Sequence, residues 1–309
     1  MNYSVALCTY NGAKYIQEQL DSILSQSLPI NEIVICDDGS TDETAEIIER
    51  IKSKANTTIH LFKNTSNLGF KNNFLKAISL CAGDIIFLSD QDDIWESNKV
   101  FYISKWFKEH PDLDIVFTDG ALINEYGVLI SEHLWQRFGF DRTKQRFFNH
   151  GYGLDIWAWS NRATGATLAF RKKIFNQIDW LSSSDSFHDK IIALYGIDHQ
   201  SLGFIPKRLI KYRIHDKQSC GARHLSRNLY GSPLKPCPSE LLDFDPMSIS
   251  ILGQAHVDFI QNRASMRGFK CIFHSLPSYK VQYGSWAYKF IVYDLYKSLR
   301  HLIKVILFR

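Results

Sequence analysis

The densest chemistry in this 309-residue chain lies in Phe87-Leu88-Ser89-Asp90-Gln91-Asp92-Asp93-Ile94-Trp95, where three carboxylates follow directly on the apolar run Ile85 to Leu88. The run reads as a buried strand. Burying unpaired carboxylates is costly, so acids at a strand exit usually hold a cation or a polar ligand. Oxygen ligands at this density suit a hard divalent ion such as Mg²⁺ or Mn²⁺, which in turn clamps phosphates. A solvated acidic turn accounts for an isolated D-x-D about as well. The surrounding elements separate the two.

The first 120 residues alternate strand and helix signals. Val5-Ala6-Leu7-Cys8, Ile33-Val34-Ile35-Cys36, Ile59-His60-Leu61-Phe62 and Asp84 to Leu88 are short apolar runs. Between them, Ile16, Leu20, Ile23 and Leu24, then Ala45, Ile48 and Ile51, then Phe74, Ala77, Ile78 and Cys81 recur at helical spacing. Ser40 and Glu43 have the spacing of a capping box, and Gly83 stands where a C-terminal glycine would stop the third helix. Such alternation predicts an α/β fold with a mostly parallel central sheet flanked by helices. Ligands of open parallel sheets bind outside the carboxyl ends of the strands. Three exits carry polar residues there: Thr9-Tyr10-Asn11, Asp37-Asp38 and Asp90-Gln91-Asp92-Asp93. One shared nucleotide site explains three such exits better than three separate turns do. No G-x-x-x-x-G-K-[ST] is present, and Gly151-Tyr152-Gly153 does not join a strand to a helix, so side chains and a metal are expected to hold the phosphates.

Beyond residue 120, Asp114 to Asn124, Ala166 to Phe170 and an edge strand from Ile205 to Ile214 are expected, with Trp157 and Trp159 on one strand face. Those tryptophans, with Trp135 and Tyr152, offer flat faces to sugar C–H groups if they are not core. The sequence divides into a nucleotide-binding half (1–120), a second half of the same domain (121–228), a Pro-rich connection (229–247) and a basic helical C-terminal region (248–309). Hydrophobic residues at 45% and charged ones at 22% describe a globular protein. The start has no basic and apolar leader, and no run of eighteen uncharged apolar residues occurs. The six scattered cysteines form no C-x-x-C pair, and Cys8, Cys36 and Cys81 lie in apolar segments, which suits a reducing compartment.

The order of these motifs resembles the family 2 glycosyltransferases of GT-A fold. Thr9-Tyr10-Asn11 is similar to that family's first nucleotide contact, Asp37 to Asp42 to its acidic turn, Asn67-Leu68-Gly69 to its N-x-G loop, and Asp90-Gln91-Asp92-Asp93 to its D-x-D region. The resemblance implies that Thr9, Tyr10, Asn11, Asp38, Asn67, Gly69, Asp90 and Gln91 meet the nucleotide-sugar. Asp38 would accept hydrogen bonds from the base, Asp90 from the ribose or base, and Asp92 would ligate the Mg²⁺ or Mn²⁺. Gly165-Ala166-Thr167 resembles the family's small-residue segment, and Asp189 of Ser186-Phe187-His188-Asp189 stands at its catalytic carboxylate. In Tyr212-Arg213-Ile214-His215, His215 would complete the metal shell or meet a phosphate, and Arg213 would pair with phosphate or shape the site. Ser89 to Trp95 is most similar to bacterial enzymes described as rhamnosyltransferases, implying a dTDP-L-rhamnose donor and a cell-surface glycan acceptor, lipid-linked or not. A UDP-sugar donor is the alternative within the fold. Lys190-Ile191 departs from the aromatic pair of many such relatives.

Outside the resemblance, an aspartate-based phosphotransferase with Asp90 as nucleophile competes, although that motif normally follows a first strand. So does a non-catalytic partner protein. From Ile260 to Arg309, nine Lys/Arg face one acid, Asp294, so this segment carries +8 while the whole chain carries +4. The pattern from Trp286 on suits a basic helix on an anionic membrane surface, each cation contributing on the order of 1 kcal/mol, or a core-packing helix with a solvated face. The expectation is a cytoplasmic enzyme, peripheral on the membrane's inner face, with no nucleic-acid partner.

Overall fold

The computed structural model describes residues 1–151, 153–157, 161–178, 180, 187–216 and 218. Apolar runs and amphipathic stretches alternate as their periodicities dictate. β1 (Tyr3–Thr9), α1 (Ile16–Leu24), β2 (Glu32–Asp37), α2 (Thr44–Lys52), β3 (Thr58–Lys63), α3 (Gly69–Leu80) and β4 (Ile85–Ser89) follow one another. The central runs of β1, β2 and β4 are buried on both faces, the reason they read as continuous rather than alternating hydrophobicity. α1 buries Ile16, Leu20 and Ile23, and α2 buries Ala45, Ile48 and Ile51. β1 pairs in parallel with β2 and β4, and β2 with β3. Thr9 stands opposite Asp37 and Leu7 opposite Ser89, so the three polar exits reach one edge of the sheet.

The rest of the chain widens this sheet with mixed directions. It adds β5 (Ile94–Trp95), α4 (Lys99–Glu109), β6 (Ile115–Ile123), β7 (Leu129–Ser131), α5 (Leu134–Arg137), α6 (Arg142–Asn149), α7 (Gly153–Trp157), β8 (Leu168–Arg171), α8 (His188–Asp198) and β9 (Leu202–Arg213). The strand order is β3-β2-β1-β4-β8-β6-β9-β5, with β7 beside β6. β8 runs antiparallel to both β4 and β6, whereas β9 runs parallel to β6. The expected edge strand, β9, is flanked on its far side by β5 at Ile210 and Lys211.

Two compact units emerge. One comprises Met1–Asp141 and Ser160–Leu234 and contains the whole sheet; the other comprises Arg142–Trp159 and Lys235–Arg309. Among described residues the second unit shows α6 and α7, where the rings of Phe148 and Trp157 lie 5.6 Å apart. The expected Pro-rich connection and basic C-terminal region lie outside the described residues. Among the described residues no helix is long and apolar enough to cross a membrane.

Three local expectations are corrected. Ser40 does not form a capping box: its hydroxyl donates to Asp37 at 2.5 Å and accepts from the Asn11 N–H at 2.9 Å, while the Thr44 N–H at the start of α2 donates to Asp42. Trp157 lies in a helix, not a strand, and is buried; Trp135 packs among Phe117, Phe140 and Phe204. Both are core, while Tyr152 and Trp159 lie outside the described residues. Gly83 has no left-handed backbone. It is small because a Cβ there would meet Ser4 Oγ at 2.5 Å, Ser4 N at 2.8 Å and the Asn2 carbonyl at 3.0 Å. Gly83→Ala should therefore lower stability by about 1–3 kcal/mol, read as an earlier urea midpoint with an unchanged slope.

Candidate active site

The sheet edge is built first from hydrogen bonds among its own exits. Thr9 and Ser40 hydroxyls both donate to buried Asp37, at 2.7 and 2.5 Å, and the Asn11 N–H donates to Ser40 at 2.9 Å. Asn11 takes a left-handed φ of 49° and accepts from the Thr41 N–H at 2.8 Å. Gln91 grips the first exit from the third: it accepts from the Tyr10 N–H at 2.9 Å and donates to the Tyr10 carbonyl at 3.1 Å. The Tyr10 ring itself stays exposed. Asp38 is buried and turned toward the Asn67-Leu68-Gly69 loop. Its carboxylate accepts from the Leu68 N–H at 2.7 Å, the Gly69 N–H at 3.0 Å and the Asn64 amide at 2.8 Å, while Asn67 donates to its carbonyl. Gly69, at φ 78°, lets both backbone N–H groups face that carboxylate as α3 begins. Asp38 thus spends most of its acceptor capacity on the loop, and the Thr9 hydroxyl is consumed by Asp37.

The acidic turn after β4 is held by β9, 120 residues away. Arg213 donates its backbone N–H to Asp93 at 2.9 Å and its Nε to the Asp92 carbonyl at 2.7 Å. The same guanidinium reaches the carbonyls of Asn124 and Glu125, pairs with Glu18 at 2.5 Å and lies over the Tyr15 ring. Arg213 was expected at a phosphate or as a shaper of the site. Its side chain is buried, and its Nε, Nη1 and Nη2 all donate to the protein. His215 Nε2 lies 2.7 Å from an Asp92 oxygen, with the imidazole against Tyr15. The other oxygen of Asp93 is buried without a partner. Burial, repulsion from Asp92 and the more distant Asp189 raise the pKa of Asp90; burial, Asp92 and Asp90 raise that of Asp93 well above the carboxylate range.

Asp189 opens α8 and is partly buried. Its carboxylate accepts from the Gly165 N–H at 3.0 Å and its own neighbour's N–H, that of Lys190, at 2.7 Å. Burial pushes its pKa up to about 6, against the downward pull of those N–H groups. His188 beside it is buried, stacked on Phe74 at 4.1 Å, and held neutral by burial, which takes its pKa down to about 3. Sequence reasoning missed Lys99, fully buried between the acids and the Gly165–Thr167 turn. A signal was present: Lys99, Ile103 and Phe107 share one α4 face at spacings of four, an odd place for an ammonium.

A divalent ion is the group this arrangement implies. Among the described residues no three side chains gather as a complete protein-made metal site. Asp92 and His215 together offer one hard oxygen and one imidazole beside carboxyl groups whose pKa values burial and mutual repulsion raise, and this donor set fits an ion whose other ligands come from substrate oxygens. Asp92 and His215, as expected, are adjacent; Asp38 and Asp90 both act electrostatically on Cys8 of β1, which places them about the same strand end.

The family described as glycosyl transferase family 2 matches residues 4–178. A chondroitin synthase of Pasteurella multocida (strain Pm70) is 30% identical over 178 residues, covering 57% of this chain but 18% of that protein. This chain spans from 18% to 25% of the length of the chondroitin and hyaluronan synthases it matches. Among solved structures, S. aureus TarS 1-349 in complex with UDP is similar at a TM-score of 0.57 and 19% identity, covering 87% of this chain and 72% of that one. Mannosyltransferase PcManGT from Pyrobaculum calidifontis, in complex with GDP-Man and Mn²⁺, is similar at 0.52 and 17%, covering 98% and 80%. These likenesses show the GT-A fold.

The Asp38 contacts generate a prediction of their own. Asp38→Ala removes the acceptor of the Leu68 N–H and leaves Gly69 only Asn67 and the Asn64 amide only Asn73, and it should cost about 1–3 kcal/mol by urea denaturation.

Proposed function

The chain belongs to glycosyl transferase family 2, and from that membership we propose that it moves a sugar from a nucleotide-diphosphate donor to an acceptor hydroxyl, with inversion at the anomeric carbon. The observation that carries this reading is the convergence of three polar strand exits on one edge, with the charge of Asp189 felt at Asp90. Tyr10, Asn11, Asp38 and the Asn67–Gly69 loop frame the nucleotide, and Asp90 and Gln91 close its sugar side. Asp189 takes the proton from the acceptor hydroxyl, its carboxylate oriented by the Gly165 N–H. Asp92 and His215 would hold Mg²⁺ or Mn²⁺, which when bound supplies charge to offset the departing diphosphate.

For the donor, the Ser89–Trp95 motif favours dTDP-L-rhamnose. A UDP-sugar is a second reading, favoured by likeness to a chondroitin synthase and to a UDP-bound fold relative. The acceptor in this proposal is a hydroxyl of a growing cell-surface glycan, free or lipid-linked. The enzyme works in the cytoplasm, and its basic C-terminal segment rests on the inner membrane face.

Incubation with Mn²⁺, a glycan acceptor and dTDP-L-rhamnose, UDP-N-acetylglucosamine, UDP-glucose or GDP-mannose should release nucleoside diphosphate from a pyrimidine donor. Silence across all four would reject the proposal. Asp92→Asn should raise the Mn²⁺ concentration needed for half-maximal rate at least tenfold, whereas an unchanged requirement would remove Asp92 from the metal. Asp189→Asn should lower kcat by 10²–10⁴-fold, in the range general bases contribute. Because the working form of Asp189 is the carboxylate and its pKa is about 6, kcat should be level above that pH and fall about tenfold per unit well below it. A flat profile down to pH 4.5 would displace Asp189 as the base.

A further inference from the structure

Lys99 is the first residue of α4 and has no exposed surface. Ile103 and Phe107 continue its face into the core, where methionine or leucine would fill the same space without desolvating a charge. A buried ammonium persists where its charge and its donors are both used. Its Nζ donates to the Ala166 carbonyl at 2.7 Å and sits 3.9 Å from the Trp95 ring centroid. Trp95 ends the acidic turn; burial pulls the pKa of Lys99 down to about 7, and Asp93 and Asp90 pull it back up. Ala166 is the middle residue of the Gly165–Thr167 turn, whose first N–H is the one that meets Asp189. One lysine therefore touches both Trp95, at the end of the acidic turn, and the turn that orients the proposed base.

We infer that Lys99 is a positioning residue for transfer: its ammonium, anchored beside the acidic turn, fastens the Gly165–Thr167 turn and so sets the place of the Asp189 carboxylate. The inference rests on Asp189 being the base. Lys99 touches no substrate, and its effect passes through the turn. Removing it should therefore change the chemical step and leave donor binding alone. Its loss should also matter little once Asp189 is gone, because residues acting as one unit are not additive.

The test uses the full-length chain with Mn²⁺, turnover of dTDP-L-rhamnose and UDP-N-acetylglucosamine, and Kd for dTDP and UDP. Lys99→Met should fold, bind the nucleoside diphosphate within threefold of wild type and lose at least tenfold in kcat. Lys99→Arg should recover part of that loss, and Lys99→Met with Asp189→Asn should be no slower than Asp189→Asn alone. An active Asp189→Asn, or a wild type silent on both donors, would topple the reading beneath the inference. If Asp189→Asn is inactive, the inference alone falls on any of three results: Lys99→Met at wild-type kcat, a loss confined to nucleotide Kd, or a double variant slower by the full product. Should Lys99→Met not fold, Lys99→Gln is read by the same criteria; failure of both neutral variants to fold would make Lys99 merely structural and overturn the inference.

Discussion

Carboxylates buried at the exit of β4 set the terms for the rest of this molecule. Asp92 and Asp93 are both nearly inaccessible, and Asp90 stands beside them. Left uncompensated, each buried charge would cost several kcal/mol. Compensation comes from far along the chain: the Arg213 N–H to Asp93, the Arg213 side chain to the Asp92 carbonyl and the His215 imidazole to Asp92; close by in sequence, Lys99 lies in the field of Asp93 and Asp90 with its pKa drawn down to about 7 by burial. The parallel pairing of β9 with β6 has an electrostatic purpose here, because it delivers Arg213 and His215 to the acids. Even so, one Asp93 oxygen stays unpartnered, and burial with mutual repulsion raises the pKa values of Asp90 and Asp93. A cation bound nearby would relieve that repulsion.

A second pattern is the division of labour among the polar residues of the edge. Thr9, Asp37, Ser40, Asp38, Gln91 and Arg213 are mainly occupied with one another or with neighbouring backbone. They make a stiff rim out of three loops that have no regular structure. Tyr10 remains exposed, and Asp90 and Asp189 keep partly accessible carboxylates. Rigid surroundings with a few open groups are what an enzyme needs to hold reacting atoms in place. The same logic explains why Asp38 organises the Asn67–Gly69 loop: the backbone that would approach a ligand has to be ordered before the ligand arrives.

The aromatic residues tell a complementary story. Trp135, Phe117, Phe140 and Phe204 form a cluster with ring separations from 5.2 to 6.1 Å, and Trp95 packs on Phe87 at 5.7 Å while receiving Lys99 on its face. Trp135 thus helps to fill the packing of a wide mixed sheet. The exposed pair Phe70 and Phe187, stacked at 5.1 Å, is the described exception near the site.

What the amino-acid order determined by itself was everything governed by short-range period and composition. The βα alternation, the burial of α1 and α2 through Ile16, Leu20, Ile48 and Ile51, and the polar exits at Thr9, Asp37 and Asp90 follow from spacings of two and of three to four, which local sterics enforce. Residues whose role depends on partners a hundred positions away were not legible in that way. Arg213 could be read as a phosphate ligand because nothing near it in sequence shows that Glu18, Asp92 and Asn124 would claim its donors. Ser40 had capping-box spacing, yet its oxygen accepts from the Asn11 N–H, which the β1–β2 pairing brings to it from 29 positions away. Gly83 had the position of a helix cap, but the approach of Ser4 decided its size. Lys99 shares an apolar helix face with Ile103 and Phe107, but only the packing of that face shows that its Nζ meets the Ala166 carbonyl. Local order fixes which groups exist and which face they share; only tertiary packing decides which of them spend their hydrogen bonds on the protein and which keep them for a ligand, because that choice is a competition among contacts distant in the chain.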